Sequence, residues 1–353
     1  MSEQANGETR IEDWVAKEGK ARDRQNKKGG KKWVLWVIIA LVVIAVIGLV
    51  IFLLLKKKPA TASSIAYLEG LDVMCGPNGI TPDGNGGFLV TDVYGKKIWQ
   101  AKGDDAIVYA GATTVKDASG EPMGGYQDGS FEESLFAEPW AISPFLNGFA
   151  VSDTANGAVR LLRDGKVETI NGHSSTLETG DMGVTFDKPM GLATDDKGSL
   201  YVADAGRGTI YVITDRGEVS VLKDGLNGPT GLCWNGGALY VAETGEHRIV
   251  KIENGSLTVV AGTGEEGEDD GAPDKATFSN PQGVTVGKDG VIFVSDTVNG
   301  TVRRIKKNKV ETILKMDGEE LTTFPISPIG MCYEGDKLYV CDPFARRVYI
   351  LEQ

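Results

Sequence analysis

Six prolines set a register that runs through most of the chain. Pro77, Pro139, Pro189, Pro229, Pro281 and Pro328 each precede a short apolar stretch, and each is followed fourteen or fifteen residues later by an acid that ends an apolar run: Asp92, Asp153, Asp204, Glu243, Asp296 and Asp342. Six residues beyond each acid stands a β-branched aliphatic: Ile98, Val159, Ile210, Ile249, Val302 and Val348. Five of the six prolines are followed two residues on by glycine (Gly79, Gly191, Gly231, Gly283, Gly330), with Ala141 as the exception. A register kept six times marks a repeated structural unit, to be recognised before any motif is interpreted.

Within a unit, proline and acid bracket two apolar runs joined by a tight turn, as in GLATDDKGSLYVAD, GLCWNGGALYVAE and GVTVGKDGVIFVSD. The Gly-containing pairs at the turn supply the positive φ that hairpin loops require. The next runs, such as TIYVIT and RIVKIE, followed by EVSVLKD and LTVVAG, give third and fourth strands. Four short strands cannot bury both faces alone, so the units must pack radially. The pattern predicts an all-β, six-bladed β-propeller. The last unit ends at VYILEQ after three strands, and the segment Ile65–Leu71 is expected to supply the missing fourth, closing the ring.

The P-x-G, apolar hairpin, Asp and β-branched sequence, fullest in VSDTVNGTVRRI and VSDTANGAVRLL, resembles the NHL repeat. The connectors AGATTVKDASGEPMGGYQDGSFEESLFAEP and AGTGEEGEDDGAPDKATFSNP add to the likeness by sharing AG, G-x-x-D-G and F-x-x-P. The resemblance covers residues 64–353 and implies the propeller fold. It does not by itself imply a function, because such folds host both binding proteins and enzymes.

A different object precedes the repeats. Trp33–Leu55 is a run of 23 uncharged, mostly branched aliphatic residues, which as a helix would span ~34 Å against a hydrocarbon core of ~30 Å. Eight basic residues precede it, from Lys17 to Lys32, and only Lys56, Lys57 and Lys58 follow closely. That asymmetry predicts a single-pass anchor in the lipid bilayer of the cell membrane, with a cytoplasmic N-terminus and an extracellular propeller. Ala60-Thr61-Ala62 has the spacing of a signal-peptide cleavage site, but the apolar run is long for a signal peptide, and three lysines and Pro59 separate the two. The expected layout is a cytoplasmic tail (1–32), a transmembrane helix (33–55), a linker (56–63) and the propeller ectodomain (64–353).

Residues 59–353 carry a net charge of −18 while residues 1–58 carry +6. With no basic stripe to offset it, the acidic part repels phosphate backbones, which argues against nucleic acid as a partner.

The face built by the turns between second and third strands, and by the connectors into each first strand, is the expected ligand-binding face. Just after the prolines it carries Asn78, Trp140, Met190, Thr230, Gln282 and Ile329. From the turns come Tyr94, Asn156, Arg207, Glu246, His247, Asn299, Phe344 and Arg346. Sixfold positions that vary are better site candidates than those that repeat, so the acids are assigned to holding backbone amides of the turn that follows each of them.

His173 and His247 are the only histidines, so the three-histidine metal set expected of some NHL-type lyases cannot be supplied. Glu266, Glu268, Asp270 and Gly271 open like a calcium loop, but Thr277 stands where the bidentate Glu belongs. Cys75, Cys233, Cys332 and Cys341 allow three pairings into two bridges. Cys332 and Cys341 share a hairpin, and Cys75 and Cys341 are expected near the ring junction. None has a histidine beside it in sequence to activate a thiolate.

The reading these residues favour is a non-catalytic binding or scaffold module for protein, peptide or glycan ligands, without a required cofactor. The alternative is a metal-dependent lactone hydrolase resembling the gluconolactonase family. That resemblance implies a divalent cation, such as calcium, in the propeller channel, with Asn78, Asn156 and Asn299 as contributors.

Overall fold

The computed structural model describes residues 60–61, 66–67, 76–103, 105–112, 116–118, 120, 122–171, 185–315 and 327–352. The expected transmembrane span at 33–55 lies outside these residues, as do Cys75 and His173. Among the described residues no helix is long and apolar enough to cross a membrane.

Six sheets form the repeat domain. Blade 1 runs through Pro77–Pro82, Phe88–Asp92, Lys97–Lys102 and Asp105–Ala110. Blade 2 comprises Pro139–Phe145, Gly148–Asp153, Ala158–Arg163 and Lys166–Asn171. Blade 3 comprises Pro189–Thr194, Leu200–Asp204, Thr209–Ile213 and Val219–Lys223. Blade 4 comprises Pro229–Asn235, Ala238–Glu243, Arg248–Glu253 and Ser256–Ala261. Blade 5 comprises Pro281–Val286, Ile292–Asp296, Thr301–Lys306 and Lys309–Lys315. Blade 6 has Met331–Glu334, Lys337–Asp342 and Arg347–Glu352, and its fourth strand is Ala66–Tyr67, antiparallel to the last strand with Ala66 opposite Ile350. The beginning and end of the propeller are thus hydrogen-bonded together, within the segment the repeat arithmetic assigned to closure.

In blades 1 to 5 the repeat proline faces the repeat acid across the first hairpin, and the ladder slips just after the proline. Such a bulge re-aims the side chains that follow it. The repeat glycines explain how six first strands fit around one axis. A Cβ at Gly79, Gly191, Gly231, Gly283 or Gly330 would collide with the carbonyl of Trp140, Thr230, Gln282, Ile329 or Asn78 on the next blade. These glycines are therefore selected for close approach of backbones.

The apolar interior is divided into six clusters, one at each blade interface, from Phe145 and Val159 against Leu192 and Val202 at blades 2 and 3 to Val348 and Cys341 against Ile80 and Val90 at blades 6 and 1. Threonines after the acids fasten neighbours further: Thr154, Thr244 and Thr297 donate to the carbonyls of Pro189, Pro281 and Pro328 on the following blades.

Three short outer additions have no counterpart in the repeat pattern. Gly129–Ser130 pairs with the outer strand of blade 2, Gly271 pairs with Val310 on blade 5, and Ala60–Thr61 lies parallel to Leu314–Lys315 on the same blade 5 edge.

Candidate ligand-binding face

Five of the six post-proline residues, Asn78, Trp140, Thr230, Gln282 and Ile329, line a cavity on the propeller axis with a volume of ≈ 70 Å³. Met190 does not line it: it is buried, and its carbonyl accepts a hydrogen bond from Ser152 Oγ at 2.6 Å. Asn78 Nδ2 donates to Trp140 O at 2.9 Å, and the Thr230 hydroxyl lies 2.6 Å from Thr244 Oγ1 and 3.1 Å from Gln282 O. No charged side chain lines the cavity. Its volume is well below the ~300–1,000 Å³ of pockets that enclose a drug-sized ligand.

Around this mouth the turn residues divide into surface groups and structural ones. Tyr94 and Phe344 are both exposed, and their rings meet edge to face at 6.4 Å across the junction of blades 1 and 6. Arg207 is exposed, with Nη2 3.3 Å from Thr185 Oγ1 and Nε 3.5 Å from Asp204. Arg346 is exposed in the left-handed region at φ 55°. Glu246 accepts from Asn227 Nδ2, and His247 Nδ1 accepts from the Asn280 amide at 3.1 Å.

Asn156 and Asn299 do not reach the channel as contributors to a divalent site. Each donates through Nδ2 to the acid of its own blade and to a connector carbonyl: Asp153 and Gly125 O for Asn156, Asp296 and Gly267 O for Asn299. They hold connectors against the propeller. Among the described residues no group of three or more His, Cys, Asp or Glu is arranged to share a metal ion.

The six acids accept backbone amides just ahead of their own first strands, in the turns that follow, or both. Asp92 takes the amides of Gly76 and Gly95, Asp153 those of Ala137 and Glu138, and Asp204 those of Asp187 and Lys188. Glu243 takes Asn227 N and Asp296 takes Ser279 N. Asp342 takes the amides of Phe344 and Ala345.

Blades 2 and 5 add a feature that the sequence reading missed. Arg160 and Arg303, both with fully buried side chains, stand seven residues after the acid. Arg160 pairs with Asp153 at 2.9 Å and with Asp128 at 2.6 Å. Arg303 pairs with Asp296 at 2.6 Å and with Asp270 at 2.8 Å. Asp128 and Asp270 are the acids of the two G-x-x-D-G connectors, and each also accepts from the backbone and hydroxyl of a threonine on the outer strand, Thr169 or Thr312. Asp270 is therefore part of this clamp, which accounts for the calcium-like spacing around it. The guanidinium planes lie over Phe136 and Phe278, the aromatic residues of F-x-x-P, at 5.2 and 5.0 Å. The signal was present in sequence: arginine occurs at acid plus seven only in the two units whose connectors carry G-x-x-D-G.

Cys233, Cys332 and Cys341 are free thiols. Burial pushes all three thiol pKa values up, which keeps them protonated and poorly nucleophilic.

Residues 278–305 match the NHL repeat. The match spans the end of a connector and three strands of blade 5, including Phe278, Asp296 and Arg303. NHL repeat-containing protein 2 of Bos taurus is 24% identical over 272 residues, covering 67% of this chain and 34% of that protein. Adipocyte plasma membrane-associated protein of Rattus norvegicus is 28% identical over 139 residues, 37% of this chain and 36% of its own. The chain thus spans about a third of each of these relatives. Among solved structures, virginiamycin B lyase from Staphylococcus aureus superposes with a TM-score of 0.54 at 15% identity, covering 82% of this chain and 99% of that one. At that identity the likeness concerns the propeller fold alone.

Proposed function

We propose that the chain is a membrane-anchored, non-catalytic binding module that presents the proline-side face of its propeller to a protein, peptide or glycan ligand outside the cell. The observation that carries this reading is the separation of repeated from varied positions. The repeat acids, glycines and clamp residues are committed to holding blades and connectors, whereas Asn78, Trp140, Thr230, Gln282 and Ile329 differ from blade to blade and gather at one cavity. The exposed Tyr94 and Phe344 pair, with Arg207 and Arg346 in the neighbouring turns, adds aromatic and guanidinium groups of the kind enriched at recognition surfaces. The uncharged run Trp33–Leu55 and its basic flank support the anchor and its orientation. The rat relative carries plasma membrane association in its name.

The test uses full-length protein in lipid nanodiscs for partner capture from surface proteins and for glycan-array binding, with protease protection of tags at each end in cells. The expected result is one saturable partner, weakened by Trp140→Ala and Phe344→Ala, with the C-terminal tag digested from outside. Turnover of a small substrate with no specific partner overturns the binding reading. A protected C-terminal tag overturns the orientation.

A further inference from the structure

The triplet Asn-x-Ser/Thr, which glycan transfer to asparagine requires, occurs twice in the chain: Asn254-Gly255-Ser256 in blade 4 and Asn299-Gly300-Thr301 in blade 5. Nothing in the triplets themselves ranks one above the other. The fold separates them by what each amide nitrogen already does. Asn299 Nδ2 donates to Asp296 Oδ2 and to Gly267 O, both at 2.8 Å, which uses both of its hydrogens. Thr301, the third residue of that triplet, is buried at the head of a blade 5 strand. A sugar on Asn299 Nδ2 would remove one of these donors and stand between the blade and the connector it holds.

Asn254 is placed quite differently. With Gly255 it forms the turn between the third and fourth strands of blade 4, at φ 49° and 77°, and Glu253 pairs with Ser256 across it. Positive φ at both central positions marks a type I′ hairpin, for which Asn-Gly is a preferred pair. Turn geometry therefore accounts for the first two residues of the triplet and does not call for the serine. Asn254, Gly255 and Ser256 are all exposed, and no other described residue engages the side chain of Asn254 or Ser256. A Cβ at Gly255 would meet nothing within 4 Å. The equivalent turn of blade 2 is met by its connector, with Phe131 N donating to Gly165 O at 3.0 Å, and Gly129–Ser130 pairs with the outer strand beside it. Among the described residues no strand pairs with the outer edge of Ser256–Ala261 in blade 4. The Asn254 turn also lies at the opposite end of its blade from the second-to-third turn at Thr244–Glu246, so a bulky group there leaves the candidate ligand-binding face open.

We propose that Asn254 is an N-glycosylation site and that Asn299 is not. This rests on the exported orientation put forward above, which passes the propeller through the secretory lumen. In the transfer the Asn254 carboxamide nitrogen attacks the anomeric carbon of a lipid-diphosphate-linked oligosaccharide. The C1–Nδ2 bond forms as the C1–O bond to phosphate breaks, the lipid diphosphate leaves with the electron pair, and the amide gives one proton to a base of the transferase. The product is a bulky, hydrophilic group on a surface turn, where such groups are accommodated.

Full-length protein tagged at each end and expressed in cultured mammalian cells tests it, by digestion with peptide N-glycosidase and peptide mapping by mass spectrometry. The expected result is a single step to higher electrophoretic mobility on digestion, with the glycan mapped to the Asn254 peptide and the Asn299 peptide unmodified. Asn254→Asp, which keeps a residue suited to the turn, and Ser256→Ala should each abolish the step, and Ser256→Thr should retain it. A glycan on Asn299, or a step that survives in both Asn254→Asp and Ser256→Ala, overturns the assignment. Protease protection of the tags separates the two ways of failing. A C-terminal tag digested from outside, with no glycan on Asn254, overturns the site and leaves the orientation standing. A protected C-terminal tag with no glycan overturns the orientation and the site with it.

Discussion

Blades 5 and 6 are neighbours built on the same register, and their acids end equivalent second strands, yet the two carboxylates are partnered very differently. Asp296 accepts from Ser279 N, Asn299 Nδ2 and Arg303 Nη1 at 2.7, 2.8 and 2.6 Å. Asp342 is as deeply buried, but its donors are the backbone amides of Phe344, Ala345 and Ser327, and Tyr349 stands where blade 5 has Arg303. Burial pushes the Asp342 pKa up to about 6, with backbone amides and Arg347 pulling against it. The repeat fixes where the acid sits. Its counter-charge depends on whether the unit also carries the clamp arginine and its connector.

The largest effect expected from this contrast follows removal of the blade 5 clamp. Arg303→Met leaves Asp296 buried without its cation and Asp270 held by Thr312 without the guanidinium, and should cost about 3–5 kcal/mol in urea unfolding. Adding Asp296→Asn should recover part of that loss, and a single mutant within 1 kcal/mol of the parent would break the comparison.

Blade 6 predicts a pH dependence of opposite sign to that of an ordinary salt-bridged carboxylate. The folded pKa of about 6 lies above the reference 3.8, so between those values the folded chain binds the proton more tightly than the unfolded chain. The contribution of Asp342 is therefore most favourable below that window and declines as pH rises through 6, by up to roughly 3 kcal/mol. Asp342→Asn should remove that component from the difference between denaturation at pH 4.5 and pH 7.5. An unchanged difference would refute the assignment.

The inner ring tests the same distinction sterically. Gly283→Ala drives a methyl into Ile329 O at the boundary of blades 5 and 6 and should lower stability by about 1–3 kcal/mol. Ala141→Gly in blade 2, where alanine is native, should lack that penalty. Smaller still, Thr297→Val removes the 2.8 Å bond to Pro328 O that joins these two blades and should cost about 1 kcal/mol, read from the denaturation midpoint.

Much of this architecture was legible before any coordinates. Alternation, turn glycines and the proline-to-acid interval specify hairpins because they act over a few residues. The absent fourth strand of the last unit pointed to Ile65–Leu71, where Ala66–Tyr67 pairs. The candidate face was legible only in part. Trp140 and Gln282 line the axial cavity, but Met190 is buried away from it, and Asn156 and Asn299, identical in type to Asn78, hold connectors instead. Nothing adjacent to an asparagine in the chain reveals which carbonyl its amide will meet some thirty residues away.

The chain by itself determined the number of blades, their internal strand order and the need to complete the last unit with a strand from before the first, because each follows from local periodicity and from apolar faces that no single unit can cover. Only the tertiary structure decided which repeated carboxylates receive a guanidinium, which glycines exist for a neighbour's carbonyl, and which post-proline residues gather at the axial cavity. Those outcomes depend on atoms brought together across blades and connectors, at separations that no periodic pattern encodes.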